Sequence, residues 1–162
     1  MPEFAVSVCR DIDAPASAIF ALLCRPADHP SVDGTGMLRT TESDQVISQV
    51  GDVFVMNMFN DDMGDYVMEN HVVEFEPDRR ITWEPVMKAI EKDDFKGDIG
   101  NPGRHQWGWR LEPIAGAGTR VTECFDCSRS PADLQKVLRG GERWRPDMEA
   151  SLENLARLVG GR

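Results

Sequence analysis

Hydrophobic and polar residues alternate along much of the chain, and this alternation predicts a succession of β-strands. Alternation is typical of strands because successive side chains point to opposite faces of a sheet. The first example is the stretch 4–12, in which Phe4, Val6 and Val8 share one face. The same pattern predicts six more strands, at 36–41, 52–60, 64–76, 80–87, 104–113 and 119–127.

Two segments show helical spacing instead. Asp13 lies where a helix N-cap is expected and Pro15 lies in the first turn, so the stretch 14–24 predicts a short amphipathic helix. The segment 142–159 predicts a longer helix, which follows an interruption by a glycine pair at 140–141. Apolar residues recur along it every three or four positions: Trp144, Met148, Leu152, Leu155, Ala156 and Val159.

Two other segments are predicted to be irregular. The stretch 25–36 contains two prolines and two glycines, which predicts a loop or a broken helix. The stretch 88–103 is polar and contains three glycines and a proline, which predicts a long loop. This loop precedes the strand that carries Trp107 and Trp109, so we expect it to form a lid over that strand's inner face.

The order of these elements predicts an α+β fold. A run of strands joined by turns favours an antiparallel sheet, and the final amphipathic helix has to bury its apolar face against that sheet. A twisted sheet of six to seven strands curves around such a helix. We therefore expect one domain over 1–162, with a space between sheet and helix that side chains need not fill.

Composition and charge exclude several classes of partner. The 162 residues are 41% hydrophobic and 28% charged, as in globular proteins, and the formal net charge is -10. Such a surface repels a polyanion, so we expect no nucleic-acid partner. No apolar run is long enough to cross a membrane, and the first four residues lack the basic start of a signal peptide. These features predict a cytoplasmic protein without membrane insertion.

Five sequence stretches, taken in order, resemble a known family. They are IDAPA at 12–16, VGDVFVM at 50–56, NHVVEFEPDRRITW at 70–83, GTRVTE at 118–123 and MEASLENL at 148–155. Together they resemble the polyketide cyclase/dehydrase-like branch of the START-like (SRPBCC) superfamily, especially its uncharacterised actinobacterial members. The resemblance implies a helix-grip fold, in which a curved antiparallel sheet of six to seven strands wraps around a long C-terminal helix. It also implies a cavity for an apolar ligand such as a lipid or a polyketide.

The inward faces of the predicted strands carry the candidate ligand-binding residues. Eight large apolar residues share these faces or the facing side of the last helix: Phe54, Met56, Met58, Trp83, Trp107, Trp109, Trp144 and Met148. They indicate either an ordinary packed core or a pocket whose methionines adapt to varied ligands. Tyr66, Met68 and Asn70 share another strand face, where the hydroxyl and the amide would suit a ligand carbonyl. The alternative is a surface tyrosine and a structurally satisfied amide.

Histidines and cysteines do not form a metal or cofactor motif in the sequence. His29, His71 and His105 lack the spacing of metal ligands. His105 is the histidine that we expect in the pocket, because it shares strand parity with the tryptophans that follow it. Cys124 and Cys127 spell CxxC, but on a strand they would point to opposite faces. We therefore expect neither a metal nor a cofactor.

Carboxylates on strands supply the candidate acid or base groups. Glu74, Glu123 and Asp126 would each have a perturbed pKa if they were buried. A structural ion pair with Arg143 or Arg145 is the alternative. No serine-hydrolase, dinucleotide-binding or phosphate-loop motif occurs in the sequence.

Three functions are compatible with this sequence, and whether the protein is an enzyme stays open. The first is a binding module for a small apolar molecule. The second is a polyketide cyclase, aromatase or dehydratase, which needs only a shaped pocket and one or two acid or base groups. The third is a stress or toxin–antitoxin protein that acts through protein contacts. An apolar patch on the outer face would serve the third function or a homodimer, and four residues could form it: Val53, Val55, Val67 and Val73.

Overall fold

The computed structural model describes residues 5–42 and 44–160, and all seven strands in these ranges form one antiparallel sheet. The strands are β1 Ala5–Ile12, β2 Leu38–Thr40, β3 Val53–Asn60, β4 Gly64–Glu76, β5 Arg80–Ile90, β6 Gln106–Pro113 and β7 Thr119–Asp126. Their order is β1-β7-β6-β5-β4-β3-β2, so each strand from β2 to β6 lies beside the strand that follows it in the chain. Phe4, which was predicted to begin the first strand, lies outside the described residues.

Helices cover the inner face of this sheet. They are α1 Ala16–Leu23, α2 His29–Val32, α3 Ala132–Val137 and α4 Arg145–Gly160. Three 3-10 helices, Pro26–Asp28, Asp93–Asp98 and Arg139–Trp144, lie between these elements. The arrangement confirms the predicted α+β helix-grip fold, because a curved antiparallel sheet wraps around a long C-terminal helix.

The packing of α4 on the sheet follows from its apolar periodicity. One face of α4 is buried, chiefly against β1. The residues of this face are Met148, Ser151, Leu152, Leu155 and Val159. Leu152 is 2% exposed and Leu155 is fully inaccessible. These positions recur at the three-to-four spacing that predicted an amphipathic helix, so the local pattern and the tertiary contact agree.

A glycine pair turns the chain from α3 towards α4. Gly140 and Gly141 have φ angles of 66° and 100°, which lie in the left-handed region that other residues rarely adopt. A Cβ atom on Gly141 would also lie 2.8 Å from the Phe125 ring. The predicted interruption of the helix is therefore required by both the backbone conformation and the packing against β7.

The segment after α2 is held close to α4. The backbone N–H of Gly34 donates to Ser151 Oγ at 2.8 Å, and Asn154 Nδ2 donates to the carbonyl of Asp33 at 3.5 Å. A side chain at position 34 would collide with the backbone oxygen of Asp147. This close approach brings Asp33 beside the first turns of α4.

β5 is longer than the sequence pattern predicted. It runs to Ile90 rather than ending at 87, because β4 continues opposite it and pairs Tyr66 with Ile90 and Val67 with Ala89. The first three residues of the predicted loop 88–103 are therefore strand. The prediction was wrong there because the available pairing partner, rather than the local composition, decides where a strand ends.

The substitution Leu152→Ala should lower the free energy of unfolding by about 2–5 kcal/mol, because it leaves a void between α4 and the sheet. Chemical denaturation followed by circular dichroism measures this loss. Leu158→Ala on the same helix is the matched control, since Leu158 is 42% exposed. The control should cost no more than about 0.5 kcal/mol. Equal losses in the two variants would contradict this packing of α4.

Candidate ligand-binding site

A cavity of about 730 Å³ lies between the inner face of the sheet and the helices. Strands β3 to β7 form one wall, and α2, α3 and the first half of α4 form the other. All twelve candidate residues line it, namely Phe54, Met56, Met58, Tyr66, Met68, Asn70, Trp83, His105, Trp107, Trp109, Trp144 and Met148. The structure brings these residues together, and their binding of a ligand stays a prediction.

Methionines form much of the cavity wall. Seven of the eight methionines in the chain line it, including three that the sequence analysis did not single out, Met37, Met63 and Met87. Met87 shares strand parity with Trp83, so the alternation could have identified it. Met37 and Met63 lie outside the strands and carry no such signal. Because methionine is flexible and polarisable, this wall can fit varied apolar shapes.

A buried histidine joins an aromatic cluster in the wall. The His29 ring stacks on Trp83 with centroids 5.4 Å apart and meets the edge of Phe54 at 5.3 Å. His29 Nε2 lies 2.8 Å from the carbonyl of Leu23, which can only accept, so Nε2 carries the proton. Burial lowers the pKa of His29, which keeps the ring neutral. Sequence analysis did not place it in the pocket, because a histidine in a proline-bearing loop gives no signal of burial.

A second aromatic cluster contains two polar groups without partners. Trp107 lies 4.5 Å from Phe125 and 5.8 Å from Trp144 between ring centroids, and the His105 ring lies 5.6 Å from Phe125. Burial lowers the pKa of His105 to about 4, so this ring is neutral at neutral pH. His105 Nδ1 and Trp144 Nε1 are buried and have no hydrogen-bond partner among the described residues. Two polar atoms that belong to cavity-lining residues are therefore left without a partner in this part of the chain.

Glu123 places a carboxyl group in the cavity wall. The residue is 7% exposed, and its Oε2 atom has no hydrogen-bond partner within the described ranges. The residues paired with it on the two adjacent strands are Val8 of β1 and Trp109 of β6. Burial raises the pKa of Glu123 well above its ordinary value, and the charges of Asp33 and Asp147 raise it further. This carboxyl group therefore keeps its proton to a higher pH than an exposed glutamate does.

The alternative considered for a buried strand carboxylate, an ion pair with Arg143 or Arg145, does not form at Glu123. Arg145 pairs with Glu142 at 2.8 Å, and the guanidinium of Arg143 lies 5.8 Å from the centre of the Trp144 ring. Neither arginine is thus engaged with Glu123. The structural alternative is wrong for this residue, because Arg145 is paired with Glu142 and Arg143 lies over the Trp144 ring.

The other strand carboxylates have structural partners. Glu74 accepts hydrogen bonds from Thr82 Oγ1 at 2.7 Å and from Arg80 at 3.0 Å. Asp126 Oδ1 accepts one from the backbone N–H of Ser128 at 2.8 Å. Glu74 and Asp126 do not line the cavity. Of the three carboxylates considered in the sequence, only Glu123 belongs to the site.

The remaining histidine and the CxxC cysteines also lie away from the cavity. His71 Nε2 lies 3.0 Å from Glu69 Oε1, Cys124 is half-buried and Cys127 is buried. Among residues 5–42 and 44–160, no three His, Cys, Asp or Glu side chains are grouped so that they could hold a metal ion. No helix in the same ranges is long and apolar enough to cross a membrane.

Charged residues interrupt the valines on the outer face of the sheet. In the pairing of β3 with β4, Val53 lies beside His71 and Val55 lies beside Glu69. Glu69 also lies 3.9 Å from the ammonium group of Lys88. Function through protein contacts and a homodimer both stay predictions.

The segment after β5 covers part of the cavity. The backbone N–H of Gly100 donates to the carbonyl of Met87 at 2.7 Å, which ties this segment to the end of the strand. Several of its residues line the cavity: Phe95, Asp98, Asn101, Pro102 and Gly103. Its movement as a lid stays a prediction.

Comparison with known protein families agrees with this fold. Residues 3–160 match the model of the family described as polyketide cyclase/dehydrase and lipid transport. The chain belongs to this family. Membership confirms the resemblance seen in the five sequence stretches. Because the description of the polyketide cyclase/dehydrase family names both catalysis and transport, membership alone does not choose between them.

Two relatives of the chain come from Mycobacterium tuberculosis. The uncharacterized protein Rv0088 is 27% identical over 121 residues, which are 75% of this chain and 46% of that protein. The uncharacterized protein MT0096 from strain CDC 1551 is 26% identical over 121 residues, which are again 75% of this chain and 46% of that protein. The chain therefore spans about half the length of these curated relatives.

Solved structures share the fold at low sequence identity. A protein from Arthrobacter aurescens superimposes with a TM-score of 0.70 at 14% identity, covering 99% of this chain and 88% of that chain. MLL2253 from Mesorhizobium loti gives 0.62 at 19% identity, with 96% of both chains covered. DynU16, from the dynemicin biosynthetic locus, gives 0.60 at 18% identity, covering 99% of this chain and 49% of that chain. These likenesses establish the fold alone.

The substitution Glu123→Gln should alter how stability depends on pH. The unfolded carboxyl ionises near pH 4.5, whereas the buried one keeps its proton to higher pH, so the wild type loses stability as pH rises through this interval. The glutamine of the variant cannot ionise. The free energy of unfolding of the variant should therefore rise relative to that of the wild type, by up to about 1.4 kcal/mol for each pH unit in this interval.

Denaturation at a series of pH values measures this difference. Glu112→Gln is the matched control, because Glu112 lies on β6 and is exposed to solvent. The control curve should run parallel to that of the wild type. A parallel curve for Glu123→Gln as well would mean that the Glu123 carboxyl titrates like an exposed group.

Proposed function

We propose that this protein binds a small, largely apolar molecule, such as a lipid or a polyketide, between the sheet and α4. The cavity itself is the observation that carries the proposal. Its volume of about 730 Å³ lies within the range of about 300–1,000 Å³ that is typical of ligand pockets. A packed core, by contrast, leaves few voids larger than a water molecule.

The chemistry of the wall supports an apolar ligand with a few polar groups. Methionines and aromatic rings dominate the lining. Asn70 is one of the polar residues among them, and its Nδ2 atom donates to the carbonyl of Phe54 at 3.3 Å. Burial raises the pKa of Tyr66 to about 12, so its hydroxyl stays a hydrogen-bond donor. The Tyr66 hydroxyl and the Trp144 indole N–H could thus orient a ligand carbonyl within an apolar space.

The uncharged dye N-phenyl-1-naphthylamine tests this proposal, because its emission rises when it enters an apolar site. We expect saturable binding by the wild type. The substitution Met68→Trp enlarges a side chain of the cavity wall and should weaken binding about tenfold or more. Val73→Trp on the same strand is the control, since Val73 is 40% exposed and does not line the cavity.

Two outcomes would contradict binding in this cavity. One is the absence of saturable dye binding by protein whose organic extract, measured by mass spectrometry, contains no small molecule that could occupy the cavity. The other is equal weakening by Met68→Trp and Val73→Trp.

A second candidate function is cyclisation or dehydration of a polyketide. The buried carboxyl of Glu123 and the unpaired Nδ1 of His105 favour it, because both belong to the cavity lining. In this chemistry a base takes a proton from the carbon beside a carbonyl, and a carbon–carbon bond forms. An acid protonates the oxygen of the attacked carbonyl, and water is lost when a second proton leaves the same carbon and the new hydroxyl is protonated. In the first step neutral His105 could accept the proton and protonated Glu123 could donate one. In the loss of water the two groups would exchange these roles and return to their starting states.

A synthetic poly-β-ketone thioester tests the catalytic candidate. Chromatography with mass spectrometry should detect a product that has lost water in the presence of the wild type. Glu123→Gln and His105→Gln should each slow its formation by about 100-fold or more, whereas Glu112→Gln should leave the rate unchanged. If the thioester binds but is not converted, the catalytic candidate is wrong and the binding function stands.

A further inference from the structure

We propose that the cavity selects a ligand with a protonated amine, and that the ammonium group binds the Glu123 carboxylate beside Asp33 and Asp147. This inference rests on the proposed binding function and narrows its ligand class. The ligand body would occupy the apolar part of the cavity, and the amine would lie at the acidic wall between β7 and α4.

The sign of the charges in the lining is the first observation. The cavity is lined by five acidic residues, Asp33, Asp98, Glu123, Asp133 and Asp147. Among the described residues, no lysine or arginine lines it. The chain as a whole carries a formal net charge of -10. A ligand carboxylate or phosphate would therefore meet only negative charge, whereas an ammonium group would be attracted.

The unpaired carboxyl oxygen is the second and independent observation. Glu123 is more than nine-tenths buried, and within the described ranges its Oε2 atom has no hydrogen-bond partner. Side-chain oxygens buried in this way normally have a partner. The neighbours on the two adjacent strands, Val8 and Trp109, offer this oxygen no charge to pair with. A donor from a ligand would satisfy it.

The charged groups that act on Glu123 from other elements are both acidic. They are Asp33, from the segment after α2, and Asp147, from the first turn of α4. Asp33 already accepts hydrogen bonds from the backbone N–H groups of Thr35 and Leu38. Burial raises the pKa of Asp147, and the charge of Asp33 raises it further, while Arg143 acts in the opposite direction. The wall therefore gathers negative charge that an ammonium group would offset.

Aromatic rings close to this wall would also favour a cation. Trp109 is paired with Glu123 on the adjacent strand β6, and Phe125 is the next inward residue along β7. The faces of such rings attract ammonium groups, most strongly where water is excluded. A ring face turned toward the ligand would therefore act in the same direction as the carboxylates.

Binding of an ammonium group should be linked to release of a proton. The pKa of Glu123 is raised by burial and by its two acidic neighbours, so the empty site holds a proton to higher pH than usual. The ammonium group favours the ionised carboxylate, and the displaced proton leaves to solvent. Affinity for an amine should therefore rise with pH until the raised pKa is passed, whereas affinity for an uncharged analogue should not.

Three probes of matched shape separate the effect of charge from apolar binding: 2-naphthylethylamine, 2-naphthylethanol and the anion of 2-naphthaleneacetic acid. Isothermal titration calorimetry at neutral pH should find the amine bound about tenfold or more tightly than the alcohol, and the acetate weakest. Measurements in two buffers of different ionisation enthalpy, repeated from about pH 5 to about pH 8, should detect proton release for the amine alone wherever the pH lies below the raised pKa of the Glu123 carboxyl.

Variants locate the effect at the acidic wall. Glu123→Gln should remove about tenfold or more of the amine affinity, leave the alcohol within about twofold and abolish the proton release. Asp147→Asn should cause a smaller loss of about twofold to fivefold. Glu112→Gln on the outer face should change none of these quantities.

The outcomes distinguish this inference from the function on which it rests. If the dye and the alcohol bind but the amine binds no more tightly, or if Glu123→Gln weakens amine and alcohol equally, the amine selectivity is wrong. The binding function would then stand. If none of the three probes binds and the dye does not bind either, the binding function itself fails.

Discussion

The docking of α4 along one edge of the curved sheet is the contact on which the rest of the structure depends. α4 has 16 residues and packs chiefly against β1, which lies at the sheet edge beside β7. The sheet continues through five more strands beyond β7. One helix cannot cover so wide an inner face, so part of the inner face of β3 to β6 borders a space, although Phe54 and Trp109 there also belong to the buried core. The cavity is a consequence of this mismatch in width.

The same geometry explains where unpaired polar groups accumulate. Within the described ranges, four buried side-chain N or O atoms lack a hydrogen-bond partner, and three of them belong to residues of the cavity wall, Glu123, His105 and Trp144. Leaving such a group unpaired costs about 1–3 kcal/mol. The apolar contacts of α4 and the sheet stabilise the fold in spite of this cost. A ligand that pairs these groups would recover part of it, which makes them the natural points of recognition.

Strand parity was sufficient to predict most of the apolar wall. Trp107 and Trp109 alternate with Gly108 and Arg110, so an inward face could be assigned without knowing what it encloses. His29 could not be predicted in the same way, because its burial depends on Trp83, which lies far along the chain. The end of β5 was misjudged for a related reason, since its last residues are strand only because β4 extends opposite them.

The sequence by itself therefore determined most of the elements, their order, the inward face of most strands and the family resemblance. These are local or pattern properties, because periodicity is read over a few neighbouring residues. Only the tertiary structure decided that the inward faces leave a cavity, that Glu123 is buried without a cation, and that Asp33 and Asp147 lie near it. Glu123 lies on β7, Asp147 lies on α4 and Asp33 follows α2. Their shared electrostatics arises from contacts between distant parts of the chain, and no pattern along the sequence encodes the distances between them.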